Sequence, residues 1–333
     1  PVLATTATAN DRVINDVVEQ LGDIEVVRGS LARDSLALQT VVLADQASRL
    51  AWLAEYVPSC EGTGFVYVLT KRDADRVTAW LRDNGIDAHA YYSGIRHPDF
   101  EDTAALRVHR EQQLLDNQIK VLVATVALGM GYDKPDLAFV IHYQAPGSVV
   151  GYYQQVGRAG RAIDNATVVL LSGAEDENIH EYFRRTAFPS EKQVGAILSA
   201  LEYSDGLNIR ELEARINLRQ GQIAAVVKYL SVENPAPLIK QGSKWVRTAV
   251  RYRLDHDKIE RLTGQREKEW EEIRDYIETD RCLMEYLRSA LDDPDAGPCG
   301  KCANCLGEPI VPVEVDHNLG LAAATFLKRS EML

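Results

Sequence analysis

Four short, unbroken apolar runs constrain this chain more than any other feature: GFVYVLT (64–70), KVLVAT (120–125), AFVIHY (138–143) and ATVVLL (166–171). None has the apolar–polar alternation of a strand with one wet face, and each is shorter than an ordinary buried helix. Helical stretches lie between them, one through Trp80 and Leu81 and another near 100–115, and AHAYY (88–92) adds a further strand. Strands apolar on both sides and separated by helices predict a parallel sheet covered on both faces. The α/β lobe so defined runs over residues 30–187. Residues 1–29 read as the tail of a preceding unit, and a chain that starts at Pro1 with a strand-like run reads as a piece of something longer.

The pattern then changes twice. Over 188–253 a helix is followed by SDGLN, two short helices joined by a tight turn, and the hairpin LIKQGSKWVRT with Gly242 at its tip. That order is the winged-helix pattern. Over 254–308 the chain becomes long helix, with Ile259, Leu262, Trp270, Ile273, Tyr276 and Ile277 at helical spacing, and ends in a cysteine cluster. The remaining 309–333 read as a Pro-punctuated linker and the start of a further segment.

Net charge is −12, which argues against an acidic partner until its distribution is considered. Residues 205–253 carry nine Lys and Arg against four Asp and Glu, whereas 255–316 carry eight against seventeen. The basic block coincides with the winged-helix pattern, so nucleic-acid contact is expected there, with Arg219 and Lys228 on the exposed face of its second helix. The sequence has no run of eighteen apolar residues and no signal-peptide pattern, so the expectation is a cytoplasmic protein.

Gln154-x-x-Gly157-Arg158-x-Gly160-Arg161 is the segment whose chemistry is most specific. Two arginines on one helical turn can stabilise charge on a transferring phosphoryl group, and two glycines remove side chains that would block close approach. With its flanks, YYQQVGRAGR (152–161) resembles motif VI of superfamily 2 helicases in its RecQ-family form. ATVALGMGYDKPD (124–136) resembles the RecQ motif V, and FVIHY (139–143) with Pro146 continues the match. Residues 3–10 resemble motif III, at the end of a first motor lobe, while 65–72 and 91–95 resemble motif IV and the strand-loop after it. The resemblance covers roughly residues 1–175 and the cysteine region.

The resemblance implies a RecA-like P-loop NTPase second lobe, in which Arg158 and Arg161 approach the nucleotide phosphates and Gln154 couples nucleotide to DNA. Gly129, Gly131, Asp133, Gly157 and Gly160 would shape the nucleotide side, with Asp133 near ATP. Thr125 would contact a DNA phosphate, and Thr70, Arg72, Ser93 and Gly94 lie at strand ends where open α/β sheets bind ligands. His142 reads as a structural histidine. RecQ proteins usually carry an acid directly after the second arginine; this chain has Ala162 there and Asp164 two positions on, which leaves the arginine's orienting contact open.

Four of the five cysteines, Cys282, Cys299, Cys302 and Cys305, sit near the end of the chain, three of them in GPCGKCANC. Four thiolates with C-x-x-C-x-x-C spacing suit a closed, structural tetrahedral Zn²⁺ site, and the helix-plus-knuckle arrangement resembles the RecQ zinc-binding subdomain. In that family a winged helix usually follows the zinc cysteines, whereas here the pattern precedes them. Neither a GxxxxGK[ST] loop nor a DExH box is found. ATP and Mg²⁺ are therefore expected to be held mainly by a first RecA-like lobe of the same protein, and this chain alone should not hydrolyse ATP.

The expectation is an ATP-dependent DNA helicase with 3′-to-5′ polarity in DNA repair or recombination. Its partners would be single-stranded and duplex DNA, the first lobe, and single-strand-binding or repair proteins. Two alternatives stay open: a DEAD-box-like RNA helicase, disfavoured by Gln154 and GMGYDKP, and a non-enzymatic DNA-binding protein with a degenerate motor lobe.

Overall fold

The computed structural model describes residues 3, 5, 6, 8, 10–22, 24–126 and 132–331. It divides into two compact units, one formed by residues 1–177 and 269–333 and the other by 178–268.

The first unit is built on a six-stranded sheet of β1 (Leu36–Val42), β2 (Gly64–Tyr67), β3 (Ala88–Tyr91), β4 (Val121–Ala124), β5 (Phe139–His142) and β6 (Ala166–Ser172). Its order is β1-β6-β5-β2-β4-β3 and every pairing is parallel. The unbroken apolar runs follow from burial on both faces. In β4, Leu122 and Ala124 join one apolar cluster while Val121 and Val123 join the other. In β2, Phe65 and Tyr67 divide from Val66 in the same way, since successive side chains of a strand point to opposite faces.

Helices α2 (Gln46–Tyr56) and α3 (Lys71–Asp83) contribute to one cluster, and α5 (Val149–Val156) to the other; α1 (Asp11–Leu21) precedes them and α4 (Thr103–Leu115) contributes to both. The cluster under α5 also takes Trp270, Ile273 and Tyr276 from the last turns of α10 (His256–Glu278) and Leu283, Met284 and Leu287 from α11 (Leu283–Ser289). The short α12 (Ala303–Leu306) lies in the cysteine knuckle.

Two features of this unit differ from the sequence expectation. Strand β1 is an edge strand whose run LALQTVV is interrupted by Gln39 and Thr40, so no unbroken apolar signal marks it. The segment expected as a linker is docked on the lobe: Val311 and Ala323 are buried, and α13 (His317–Glu331) places Phe326 against Trp80 with ring centroids 5.3 Å apart. The cause is the polar gap in β1, because the Gln39 side chain accepts the amides of Ile310 and Val311.

The second unit contains α7 (Glu191–Glu202), α8 (Ile209–Glu213), α9 (Gln220–Ser231) and the antiparallel hairpin of β7 (Leu238–Gln241) and β8 (Lys244–Arg247). Leu207 and Trp245 exchange backbone hydrogen bonds at 3.0 and 2.8 Å, so the chain before α8 adds a third, minimal strand. Helix, short strand, two helices and hairpin is winged-helix order. Its core is Val194, Ile197, Leu201, Leu212, Ile223, Val226, Leu230 and Leu238. Helix α6 (Asp176–Thr186) runs across the boundary between the units.

Candidate functional site

Helix α5 starts at Ser148, whose hydroxyl accepts the Gly151 amide, and stops at Val156. Arg158 and Arg161 therefore lie in the turn after the helix and not on a helical turn, which corrects the sequence expectation. Gly160 is the reason. It adopts φ +66°, and a Cβ there would stand 2.4 Å from Ser35 Oγ. The turn is clasped from the start of the lobe: Ser35 Oγ donates to the Gly160 carbonyl (2.6 Å) and Arg33 to the Ala159 carbonyl (3.0 Å).

Both arginines face the second half of the stretch that resembles motif V. Arg158 Nη1 donates to the Tyr132 carbonyl at 3.2 Å, and Arg161 Nη1 meets Asp133 Oδ1 at 2.7 Å. The backbones are joined as well, Gly160 N to Leu137 O (3.0 Å) and Ala162 N to Pro135 O (2.8 Å). The acid that meets Arg161 thus comes from 28 residues upstream, and not from the position that Ala162 fills. Gln154 reaches the other way, its Nε2 donating to Thr8 Oγ1 at 2.5 Å and so touching the stretch that resembles motif III. Gly129 and Gly131 lie outside the described residues.

The remaining expected contacts gather at the carboxyl edge of three adjacent strands, β2, β4 and β3. Thr70 caps α3: its hydroxyl donates to Asp73 Oδ2 (2.6 Å) and accepts the Asp73 amide (3.0 Å). Its single proton is taken up, so it has none to give a phosphate in this arrangement. Arg72, Ser93 and Gly94 are exposed, and Gly94 takes φ +84°. Thr125 is buried at the end of β4, its amide donating to the Tyr91 carbonyl at 3.2 Å. Sequence reasoning missed Lys71, an exposed lysine whose ammonium lies 3.5 Å from where a Gly94 Cβ would be. Its only signal was its place beside Thr70 and Arg72.

His142 is fully buried, stacked on Tyr67 and edge-on to Tyr152. Its Nε2 donates to Gln155 Oε1 at 2.6 Å, and burial pushes its pKa down to about 4. It ties β5 to the motif VI helix as a neutral imidazole, and Gln155 is a second residue that the sequence reading passed over.

The sulfurs of Cys282, Cys299, Cys302 and Cys305 all lie within 4.8 Å of one another. Backbone amides aim at them: Cys299 and Glu285 donate to Cys282 Sγ (3.2 and 3.4 Å), Cys302 to Cys299 Sγ (3.4 Å), and Leu283 and Cys305 to Cys302 Sγ (both 3.4 Å). Amide donors of this kind orient thiolates and relieve their charge, and four sulfurs at such spacing can hold one metal ion. Cys282 and Cys302 share an apolar cluster with Tyr152 and Val156, so the cysteine module buttresses the helix that carries Gln154. Cys60 belongs to the opposite cluster.

In the second unit Lys228 is exposed on α9, and Arg219, expected on the same helix, is the exposed residue that caps its start. Gln222 Oε1 accepts the Arg219 amide (3.1 Å) and Gln220 Nε2 donates to Glu213 (2.6 Å), which leaves the two cations as the helix's exposed charged groups.

Residues 48–163 match the family model described as the helicase conserved C-terminal domain. The chain is 26% identical over 314 residues to the probable ATP-dependent DNA helicase RecS of Bacillus subtilis (strain 168), covering 92% of this chain and 59% of that protein. It is 29% identical over 324 residues to the ATP-dependent DNA helicase RecQ of Synechocystis, covering 92% of this chain and 63% of that protein. Over 195 residues it is 35% identical to the ATP-dependent DNA helicase Q-like 5 of Arabidopsis thaliana, covering 54% of this chain and 21% of that protein. The parallel sheet and the arginine turn thus lie largely within the stretch that matches the helicase C-terminal domain. The chain spans about three fifths of the first two relatives, at 59% and 63%. Over 92% of its length the chain is similar to the RecS and RecQ DNA helicases. Among the described residues no helix is long and apolar enough to cross a membrane.

Proposed function

We propose that this chain supplies the arginine-bearing lobe, a winged-helix domain and a zinc module of an ATP-dependent DNA helicase of 3′-to-5′ polarity, acting in the cytoplasm in repair or recombination. One observation carries the reading: two guanidinium groups of a single turn, Arg158 and Arg161, rest on residues 132–133, within the stretch that resembles motif V. Such a turn can deliver two positive charges to a phosphoryl group held by a first RecA-like lobe, which would bind most of the ATP and Mg²⁺. Asp133, Gly157 and Gly160 shape that side of the site, and Gly129 and Gly131 are assigned to it from the motif alone.

Gln154, through Thr8, would couple nucleotide state to the DNA groove. Lys71, Arg72, Ser93, the Gly94 amide and Thr125 would follow the DNA backbone along the β2, β4 and β3 edge, with Thr70 holding the start of α3 in place. Contacts of this kind read phosphate and not base, so binding would be largely independent of sequence and strongly dependent on salt. Arg219 and Lys228 would engage duplex DNA. Four thiolates without an open position suit a structural Zn²⁺ that supplies no chemistry.

The test is Arg161→Ala in the complete protein. DNA-stimulated ATP hydrolysis should be lost while affinity for single-stranded DNA stays within about two-fold. Hydrolysis at the wild-type rate would refute the arginine's role.

A further inference from the structure

Lys134 is a lysine with almost no access to water: its side chain is 1% exposed. Its ammonium donates to Asp136 Oδ1 (2.7 Å), Asn117 Oδ1 (2.8 Å) and the Leu115 carbonyl (3.4 Å), so each of its three protons has an oxygen. The partners are themselves tied. Asn117 Nδ2 donates to Asp136 Oδ2 at 3.2 Å, Thr63 donates to Asn117 Oδ1 at 3.3 Å, and Asn117 holds φ +55° just past the end of α4. Lys134, Asn117 and Asp136 form a closed latch between the end of α4 and the last residues of the stretch that resembles motif V.

The Asp136 carboxylate is half exposed, so the ion pair itself adds little stability; what the three-way network adds is one defined geometry around a buried ammonium. The geometry at stake here is that of the two residues directly before Lys134. Tyr132 offers its carbonyl to Arg158, and Asp133 its carboxylate to Arg161. Downstream of Lys134, Pro135 and Leu137 are joined by backbone hydrogen bonds to Ala162 and Gly160. We propose that Lys134 is a positioning residue for both arginines, its latch holding residues 132–133 where Arg158 and Arg161 rest between turnovers. This rests on the reading of those arginines as nucleotide-facing.

The experiment uses the complete protein carrying Lys134→Met, which keeps the apolar stem and removes the charge, with Asn117→Ser as a second variant should the first fail to fold. The expected result is a fall in kcat for DNA-stimulated ATP hydrolysis of tenfold or more, with KM for ATP and Kd for single-stranded DNA within two-fold. Amides of residues 133, 134 and 136–138 should exchange with solvent at least tenfold faster, with those of β2 and β4 unchanged. A folded variant with wild-type kcat overturns the proposal, as does a loss of activity that only tracks the unfolded fraction. If Arg161→Ala also keeps wild-type hydrolysis, the reading of the arginines fails; if Arg161→Ala is dead and Lys134→Met fully active, only the latch fails.

Discussion

Asp133 and Arg161 meet at 2.7 Å, the carboxylate 59% and the guanidinium 40% exposed. At that exposure the pair contributes about 0–1 kcal/mol to stability, so its value lies in orientation. Asp133→Asn should leave the melting temperature nearly unchanged and lower DNA-stimulated ATP hydrolysis by about tenfold. A variant as active as wild type would show that Arg161 finds its place without the acid.

Gly160 should not tolerate a side chain. Its φ of +66° is strained for alanine, and the new Cβ would stand 2.4 Å from Ser35 Oγ and 3.0 Å from Ser35 Cβ. Together these predict a loss of about 1–3 kcal/mol for Gly160→Ala, measured by urea unfolding. Adding Ser35→Gly removes the closest contact but leaves the 3.1 Å approach to Ala166 Cβ and the backbone strain, and it loses the Ser35 hydrogen bond to the Gly160 carbonyl, so the double variant should not regain wild-type stability.

His142 predicts a pH dependence. Its folded pKa of about 4 lies below the ordinary 6.5, because burial disfavours the imidazolium. Between those values the unfolded chain binds the proton and the folded chain does not, so stability rises with pH across that window. The contribution is complete above about pH 6.5 and fades toward pH 4, amounting on the order of 3 kcal/mol. Unfolding free energies for wild type and His142→Gln should converge as pH falls from 7 to 5; parallel curves would exclude the histidine as the source.

The cysteine cluster predicts one Zn²⁺ per chain by elemental analysis. Chelation, or Cys302→Ser, should lower the melting temperature by several degrees, because Cys302 shares its apolar cluster with Tyr152 and Val156 of α5. Cys60→Ser should leave metal content unchanged. A soluble, metal-free protein with wild-type stability would count against a structural ion.

The contrast between what could and could not be read from the residues has a physical pattern. The strands β2, β4, β5 and β6 were visible because burial on both faces leaves an unbroken apolar run. The cysteines were visible because metal ligands on one knuckle must be close in sequence. Strand β1 was not, since Gln39 breaks its apolar run to serve a segment 272 residues away. Nor was the partner of Arg161, which lies 28 residues upstream where no local pattern points to it. The end of α5 was misread for a related reason: only the nearness of Ser35 to Gly160 shows why the chain must turn there.

The same long-range logic makes the C-terminal segment part of the lobe. Gln39 is 3% exposed, accepts the amides of Ile310 and Val311 at 2.7 and 2.9 Å, and donates to the Val311 carbonyl at 3.3 Å. Trp52 Nε1 donates to the Pro312 carbonyl at 2.7 Å, and Phe326 covers Trp80. Gln39→Ala would leave those backbone groups unpaired in a buried strip, at a cost of about 1–3 kcal/mol. Ending the chain at Leu306 should cost more, because Trp52 and Trp80 then face water and the edge of β1 is uncovered. Tryptophan emission in the shortened protein should shift to longer wavelength and its melting temperature should fall well below that of Gln39→Ala. Equal stability in the two variants would mean that the clasp is held by Gln39 alone and that α13 adds nothing to the lobe.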